Sequence, residues 1–291
     1  MRITVKAPAK INLSLDILAK REDGLHEIST VLQTVSLCDH VTVEEIPEQE
    51  IIIECSRENI PCGEGNLCHK AARAFFERFG ISCGVRIIID KKIPAAAGLA
   101  GGSADAAAAL MALSMLCDRG NGAELSDIAA SIGADVPFCL NGGTALAVGT
   151  GTRMRRLHPM PQCDVTIIKP PCDISTAEAY SLFDSESGKA VGKTFDMIMA
   201  LHSSSVRGIA SAAFNGFEQV IKHEDIGRAK DILLQNGALC AVMSGSGSSV
   251  FGIFGRKDQS IRAAEQAKNQ GMEAFAVHPV DHGCTVTEQD F

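Results

Sequence analysis

The stretch PAAAGLAGGSADAAAA, residues 94–109, decides how this chain is read. Asp105 is its one ionisable group, set among alanines, three glycines and Pro94. It is a low-complexity spacer, a core helix with a loose start, or a cradle for a ligand. A strand-like run, residues 85–90, leads into it, and an Ala/Leu/Met run to Cys117 leads out. A helix starting near Ser103 would expose unpaired N–H groups in its first turn. Gly98, Gly101 and Gly102 ahead of it let the backbone approach a ligand closely. Strand, glycine turn and helix together make an anion site. Ser103 adds a hydroxyl that can cap the helix or reach a phosphate or a metal. The plainer account makes Ser103 an ordinary N-cap with Asp105 nearby, and the alanines a close-packed helix. Pattern alone leaves both open. The familiar phosphate spellings are absent: no Lys follows Gly101 or Gly102, and no G-x-G-x-x-G occurs here or at Ser244-Gly-Ser-Gly-Ser248.

Outward from that stretch, 291 residues allow one large domain or two. A hydrophobic share of 46% against 21% charged residues is globular. With no Trp and one Tyr, the core must be aliphatic and alanine-rich. A net charge of −8 argues against sequence-independent nucleic-acid binding. The densest basic run, Arg153-Met-Arg-Arg156, reads as a solvated turn. Eleven cysteines, an odd number without a C-x-x-C pair, point to reduced thiols and a cytoplasmic protein. No leader-like segment or membrane-length apolar run is present.

Period-two alternation predicts strands over residues 3–17, broken near Pro8, and further strands at 31–37, 41–46 and 51–55. Asn66 and Gly80 bracket a helix over 67–79. A helix over 125–132 ends at Gly133, and strands follow at 144–148 and 165–169. Ser175-Thr-Ala-Glu178 is a capping box opening a helix that carries Tyr180. Helical patterning resumes near Thr194, interrupted by runs at 239–243 and 249–254 around a Gly/Ser loop. A helix (259–270), a strand (273–277) and a polar tail close the chain. The order is not βαβαβα, so an α+β architecture with two lobes is expected, divided near the Pro-rich segment 158–161.

Three motifs spread along the chain then resemble one family. Lys6-Ala-Pro-Ala-Lys-Ile-Asn-Leu13, the segment Pro94 to Ser103, and Val242-Met-Ser-Gly-Ser-Gly247 are similar in order and spacing to the three motifs of the GHMP small-molecule kinases. Arg21-Glu-Asp-Gly-Leu-His26 and Gly133-Ala-Asp-Val-Pro-Phe138 resemble the branch that phosphorylates a cytidine-diphosphate sugar alcohol in non-mevalonate isoprenoid biosynthesis. The resemblance implies a two-lobed GHMP kinase fold with the active site in the cleft. It implies an ATP-binding lobe over 1–160 and a substrate lobe over 161–291, with ATP and Mg²⁺ as cofactors. No dedicated metal-ligand set is legible. A small-molecule acceptor is the expected partner, with neither nucleic acid nor membrane; the oligomeric state is open, a homodimer included.

Phosphoryl transfer needs positioning, charge neutralisation and a group that takes the hydroxyl proton. The resemblance assigns the proton to Asp135. It sets Lys10 beside that carboxylate and the acceptor hydroxyl, where its charge keeps Asp135 ionised and steadies the developing alkoxide. It gives ATP to Pro94, Ala95, Ala96, Ala97, Gly98, Leu99, Ala100, Gly101, Gly102, Ser103 and Ala104. It gives the acceptor to Asn12, Leu25, His26, Thr176, Tyr180, Ser244, Gly245, Ser246 and Gly247. His26 would bond a cytosine and Tyr180 would stack on it. Taken without the family, Asp135 is a turn residue, Lys10 an edge lysine, His26 a surface histidine and Tyr180 an ordinary half-buried tyrosine.

The chain departs from the family pattern in three places. Leu25 stands where the family usually has Tyr, so either Leu25 and Tyr180 make an apolar sandwich or the nucleotide preference has drifted. Ala104 replaces a common Ser, and Ser248-Ser249 a common Pro-Thr. Other small-alcohol kinases of the family (homoserine or mevalonate type), and a catalytically silent relative, stay open. The presence of both Lys10 and Asp135 argues against silence. His278, His282 and Cys284 read as tail rather than metal site.

Overall fold

The alternation over residues 3–17 forms one strand, β1 (Arg2–Lys20), in a computed structural model that describes residues 1–185 and 192–290. Pro8 does not break it. The register against the next strand shifts between Pro8 and Lys10 instead, so the irregularity costs a bulge rather than the strand. Odd positions from Ile3 to Ile17 are buried apolar side chains. On the even face Lys10, Asn12, Ser14 and Asp16 are buried too.

β2 (His26–Ile46) merges the two strands expected there. β3 (Ile51–Cys55) and α1 (Leu67–Phe79) follow, with the Asn66 side chain accepting from Cys68 N and Gly80 left-handed at the end. β4 (Gly84–Asp90) leads to α2 (Gly101–Cys117). Ala100, not Ser103, is the cap of α2, and no side chain bonds its first turn. α3 (Gly122–Ile132) starts earlier than expected because Asn121 and Glu124 make a reciprocal capping box. α4 (Val136–Asn141) is a short helix that apolar periodicity could not reveal. β5 (Thr144–Gly149) and β6 (Arg153–Arg156) form a hairpin, so the arginine run is an edge strand, not a bare turn.

β7 (Asp164–Lys169), α5 (Thr176–Ser185), α6 (Thr194–His202), α7 (Val206–Ala212) and the two-residue β8 (Phe214–Asn215) come next. Asp16 caps α6 from β1, accepting from Lys193 N, Thr194 N and the Thr194 hydroxyl. α8 (Glu224–Gln235), β9 (Cys240–Met243), β10 (Val250–Phe254), α9 (Lys257–Asn269), β11 (Glu273–Val277) and β12 (Thr285–Asp290) complete the chain.

Among the described residues the strands make two sheets. The larger runs β12-β1-β2-β4-β3, with β5 and β6 extending from the first half of β2 and β8 against β1. The smaller is β11-β7-β10-β9, antiparallel throughout. The expected polar tail is therefore partly a strand: β12 crosses back and pairs with β1 in the first sheet. One core joins β1, β2 and β4 to α1, α2 and the inner face of the smaller sheet. A second lies between that sheet's other face and α8 and α9. The helix–sheet mix is α+β, as expected. All eleven cysteines are free thiols.

Candidate active site

The glycine stretch meets two other chain segments at its centre. Lys10 N on β1 donates to Leu99 O at 3.1 Å, and Ser249 N donates to Ala97 O at 3.3 Å. Gly98 has φ +72°, and a Cβ there would come 2.0 Å from the Ser244 carbonyl oxygen. Only glycine permits that approach. The Ser244 hydroxyl bonds Gly98 O at 3.0 Å and accepts from Asn12 N at 3.3 Å. Asn215 holds the far side of the same loop, its side-chain amide donating to Met243 O and Gly245 O. Three segments distant in sequence are thus locked backbone to backbone.

Positive φ recurs at every second residue, at Ala96 (+47°), Gly98 (+72°) and Ala100 (+57°). Alternation of hand turns successive N–H groups toward one side and makes an anion-binding concavity. Alanine tolerates the left-handed region at a cost of ~1–2 kcal/mol, so the loop is held in this shape by its neighbours. Since α2 has no side-chain cap, the Ser103 hydroxyl is not consumed by its own helix.

The stretch lines a cavity of about 660 Å³, large enough for a small-molecule substrate. Residues 94–103 are on its wall, with Lys10, Asn12, Asp135, Thr176, Tyr180, Gly245, Ser246 and Gly247. Both sheets' loops contribute. Four of the expected residues stand off the wall. Ala104 is wholly buried inside α2, and Ser244 is a brace beneath the loop. Leu25 is 55% exposed on the β1–β2 turn. His26 lies behind Tyr180, the two rings stacked with centroids 4.7 Å apart.

Lys10 Nζ is 3.8 Å from Asp135 Oδ2, with the lysine side chain 6% exposed and the aspartate 39%. The ammonium is aimed by Asn12 Oδ1 at 2.7 Å and Gly98 O at 3.1 Å. Asn12 is fixed in turn, its Nδ2 donating to Thr30 Oγ1 at 2.8 Å. Asp135 sits where a cap would, before α4, yet its carboxylate caps nothing. Pro137 in the first turn offers no N–H. The carboxylate is therefore open to the cavity on one side and faces the buried ammonium on the other. Such a pair can hold a hydroxyl group and take its proton.

A buried ionic triad that no sequence motif announced reaches the same wall through Lys91 and Asp105. Lys91 Nζ donates to Asp39 Oδ2 at 2.5 Å and to Asp105 Oδ2 at 2.6 Å. Asp39 also accepts from Lys92 N and Ile93 N, which fixes the approach to Pro94. Burial pushes the Asp105 carboxyl up to about 8, against the opposing pull of Lys91. Gly101 leaves room for the ammonium, since a Cβ there would lie 2.9 Å from Lys91 Nζ. The triad ties β2, the start of the loop and α2 together.

Oxygen donors suited to Mg²⁺ on the cavity wall include the Ser103 hydroxyl and the Asp135 carboxylate. That fits an ion carried mainly by phosphate and water rather than an all-protein cage. Elsewhere Cys172, His223 and Asp225 bring candidate ligand atoms within 4.8 Å of one another. His223 Nδ1 already accepts from Asp225 N at the head of α8, and Asp225 pairs with Arg228, so these groups serve the helix. Among the described residues no helix is long and apolar enough to cross a membrane.

Comparison with known proteins agrees with this geometry. Residues 66–143 match the family described as GHMP kinases N terminal domain, and residues 197–273 match GHMP kinases C terminal. A curated protein of Caldicellulosiruptor bescii, named 4-diphosphocytidyl-2-C-methyl-D-erythritol kinase, is 46% identical over 91% of this chain and 93% of its own. One of the same name from Acetivibrio thermocellus is 41% identical over 96% and 99%. Among solved structures, a 4-(cytidine 5'-diphospho)-2C-methyl-D-erythritol kinase superposes with a TM-score of 0.80 at 32% identity, covering 96% of this chain and 99% of that one.

Proposed function

The chain belongs to the GHMP kinase family and is an ATP-dependent kinase, and from that premise we propose that it phosphorylates the 2-hydroxyl of 4-diphosphocytidyl-2-C-methyl-D-erythritol. The place of that step is isoprenoid biosynthesis. The observation that carries the reading is the Lys10–Asp135 pair, 3.8 Å apart on the wall of a glycine-lined cavity, in a chain whose relatives bear that name.

On this reading the work divides as follows. The alternating-hand loop, residues 94–103, and the open end of α2 cradle ATP phosphates through backbone N–H groups. Ser103 adds a hydroxyl to that cradle. Asp135 accepts the proton of the acceptor hydroxyl as the oxygen attacks. Lys10 compensates the alkoxide charge from a buried position, where an ammonium acts more strongly than in water. Mg²⁺ would neutralise phosphate charge, with Ser103 and Asp135 the side chains placed to hold it. Thr176, Tyr180 and residues 245–247 receive the acceptor from the other side of the cavity. We assign residues 1–160 to ATP and 161–291 to the acceptor, with β12 returning to complete the first lobe's sheet.

The test is ADP release on a panel of acceptors: the cytidine-diphosphate methylerythritol, mevalonate, homoserine and none. Acceptor-stimulated release is expected with the first alone. Stimulation by mevalonate or homoserine instead would replace this acceptor, and no stimulation by any would end the kinase assignment to these substrates.

A further inference from the structure

Helix α5 brings two side chains, one turn apart, onto His26. Tyr180 lies flat against the imidazole, the planes inclined by 17°. Asp184 takes its edge, with His26 Nε2 and Asp184 Oδ1 2.7 Å apart. The other carboxylate oxygen accepts from Lys20 Nζ at 2.5 Å. Phe183 closes in edge-on, 6.4 Å away, and the imidazole is left 4% exposed. The ring is therefore gripped on a face and on one nitrogen.

The grip determines where the proton sits. The Lys20 ammonium, then the His26 bond, hold the Asp184 carboxyl below its usual range, so it is ionised. An ionised carboxylate accepts hydrogen bonds and has no hydrogen to give. The proton between the two residues is therefore on Nε2. In the neutral ring Nδ1 is then bare, an acceptor. Among the described residues that nitrogen has no hydrogen-bond partner.

We propose that Asp184 is a positioning residue for base selection: by fixing His26 as the Nε2–H tautomer it presents Nδ1 as an acceptor. The 4-amino group of cytosine donates to such a nitrogen. Uracil in the same seat offers a carbonyl oxygen there, and two lone pairs face each other. The inference rests on the reading that the cytidine end of the acceptor lies against His26 and Tyr180, and it adds what makes that end choose its base.

The test compares wild type with Asp184→Asn and Asp184→Glu. Steady-state rates are measured with the cytidine- and uridine-diphosphate forms of the acceptor at saturating ATP. Ring-¹⁵N histidine NMR reads the His26 tautomer, with His26→Gln to assign the signal. In wild type the Nδ1 shift of a bare nitrogen and preference for the cytidine form are expected. In Asp184→Asn the carboxamide can donate to Nε2 and drive the proton to Nδ1. The cytidine-to-uridine ratio of kcat/KM then falls roughly 10- to 100-fold, mostly through acceptor KM, with the KM for ATP unchanged. Asp184→Glu restores the ratio. An unchanged ratio in Asp184→Asn, or a proton on Nδ1 in wild type, overturns the proposal. Failure of the underlying reading looks different. Wild type then turns over neither form, and the base-selection claim falls with it while the tautomer is still read by NMR.

Discussion

Replacing Gly98 with alanine probes the junction on which the site depends. A Cβ at this position would lie 2.0 Å from Ser244 O and 3.2 Å from Gly247 O, where ordinary contact begins near 3.4 Å. The loops must part by the difference, 3.4 − 2.0, about 1.4 Å. The atoms in the way are backbone and cannot rotate aside. A left-handed alanine adds ~1–2 kcal/mol, and overpacking a closed contact ~1–3 kcal/mol. At roughly 2–4 °C per kcal/mol, Tm falls by about 4–20 °C. The catalytic loss is larger than the stability loss suggests, because Gly98 O is an acceptor for both Lys10 Nζ and Ser244 Oγ. Moving it moves the ammonium relative to Asp135, and a displacement of ~1 Å costs on the order of 10²-fold in rate. The assays are coupled ADP release and thermal unfolding on the same preparation. Gly102→Ala is the stability control: its Cβ would meet only Leu67 Cδ1, at 3.7 Å. That variant should match wild type or gain ~0.5–1 kcal/mol. A Gly98→Ala protein with wild-type kcat and Tm would refute the claim that this contact holds the site together.

Three other perturbations separate the roles. Asp135→Asn should lower kcat by about 10²–10⁴-fold while calorimetry still shows ATP binding, because this carboxylate caps nothing and touches Lys10 only at 3.8 Å; near-normal turnover removes it as the base. Asp105→Asn tests the buried triad through pH. The folded carboxyl is raised to about 8 and the unfolded one is ordinary, so the folded state keeps a proton that the unfolded state releases between about pH 4 and 8. The stability this gives is full below that window and is lost as pH rises through it, by about 1.4 kcal/mol per pH unit. Denaturant titrations should find Asp105→Asn gaining on wild type as pH rises; a difference constant with pH would count against it. Leu25→Tyr places a ring beside the base seat from an exposed turn; stacking is worth ~1–3 kcal/mol, so the KM for the cytidine acceptor should fall about 5- to 150-fold. An unchanged KM means position 25 does not touch the base.

What was legible in the chain was local. Alternation along β1, the Asn66 and Gly80 ends of α1, and the Gly/Ser loop between β9 and β10 depend on neighbours in sequence, and each appears where its pattern put it. Lys10 and Asp135 were found through motifs, and the structure brings them to 3.8 Å. The unread features depend on distant partners. Pro8 looks like a break until the register shift in β1–β2 absorbs it. The triad joins residues 39, 91 and 105, each unremarkable alone, and only burial makes their charges count. Asp184 reads as one more acid on a helix until α5 is laid across His26. α4 is too short for periodicity and shows only as a Pro in a first turn.

The same distinction bears on the opening stretch. An N-cap at Ser103 would have made residues 94–102 a lead-in to a helix and nothing more. With the cap at Ala100 and positive φ at Ala96 and Ala100, the chain spends conformational energy there without gaining a hydrogen bond from any side chain of its own. Strain of this kind persists only where surroundings over-determine it, and here those surroundings are identifiable. Lys10 N, Ser249 N and the Ser244 hydroxyl bond its carbonyls, and Asp39 bonds the amides just upstream. Carbonyls are the groups bound by protein at residues 97, 98 and 99. The loop is therefore gripped by its acceptors, which is the arrangement the proposed phosphate cradle requires of its donors.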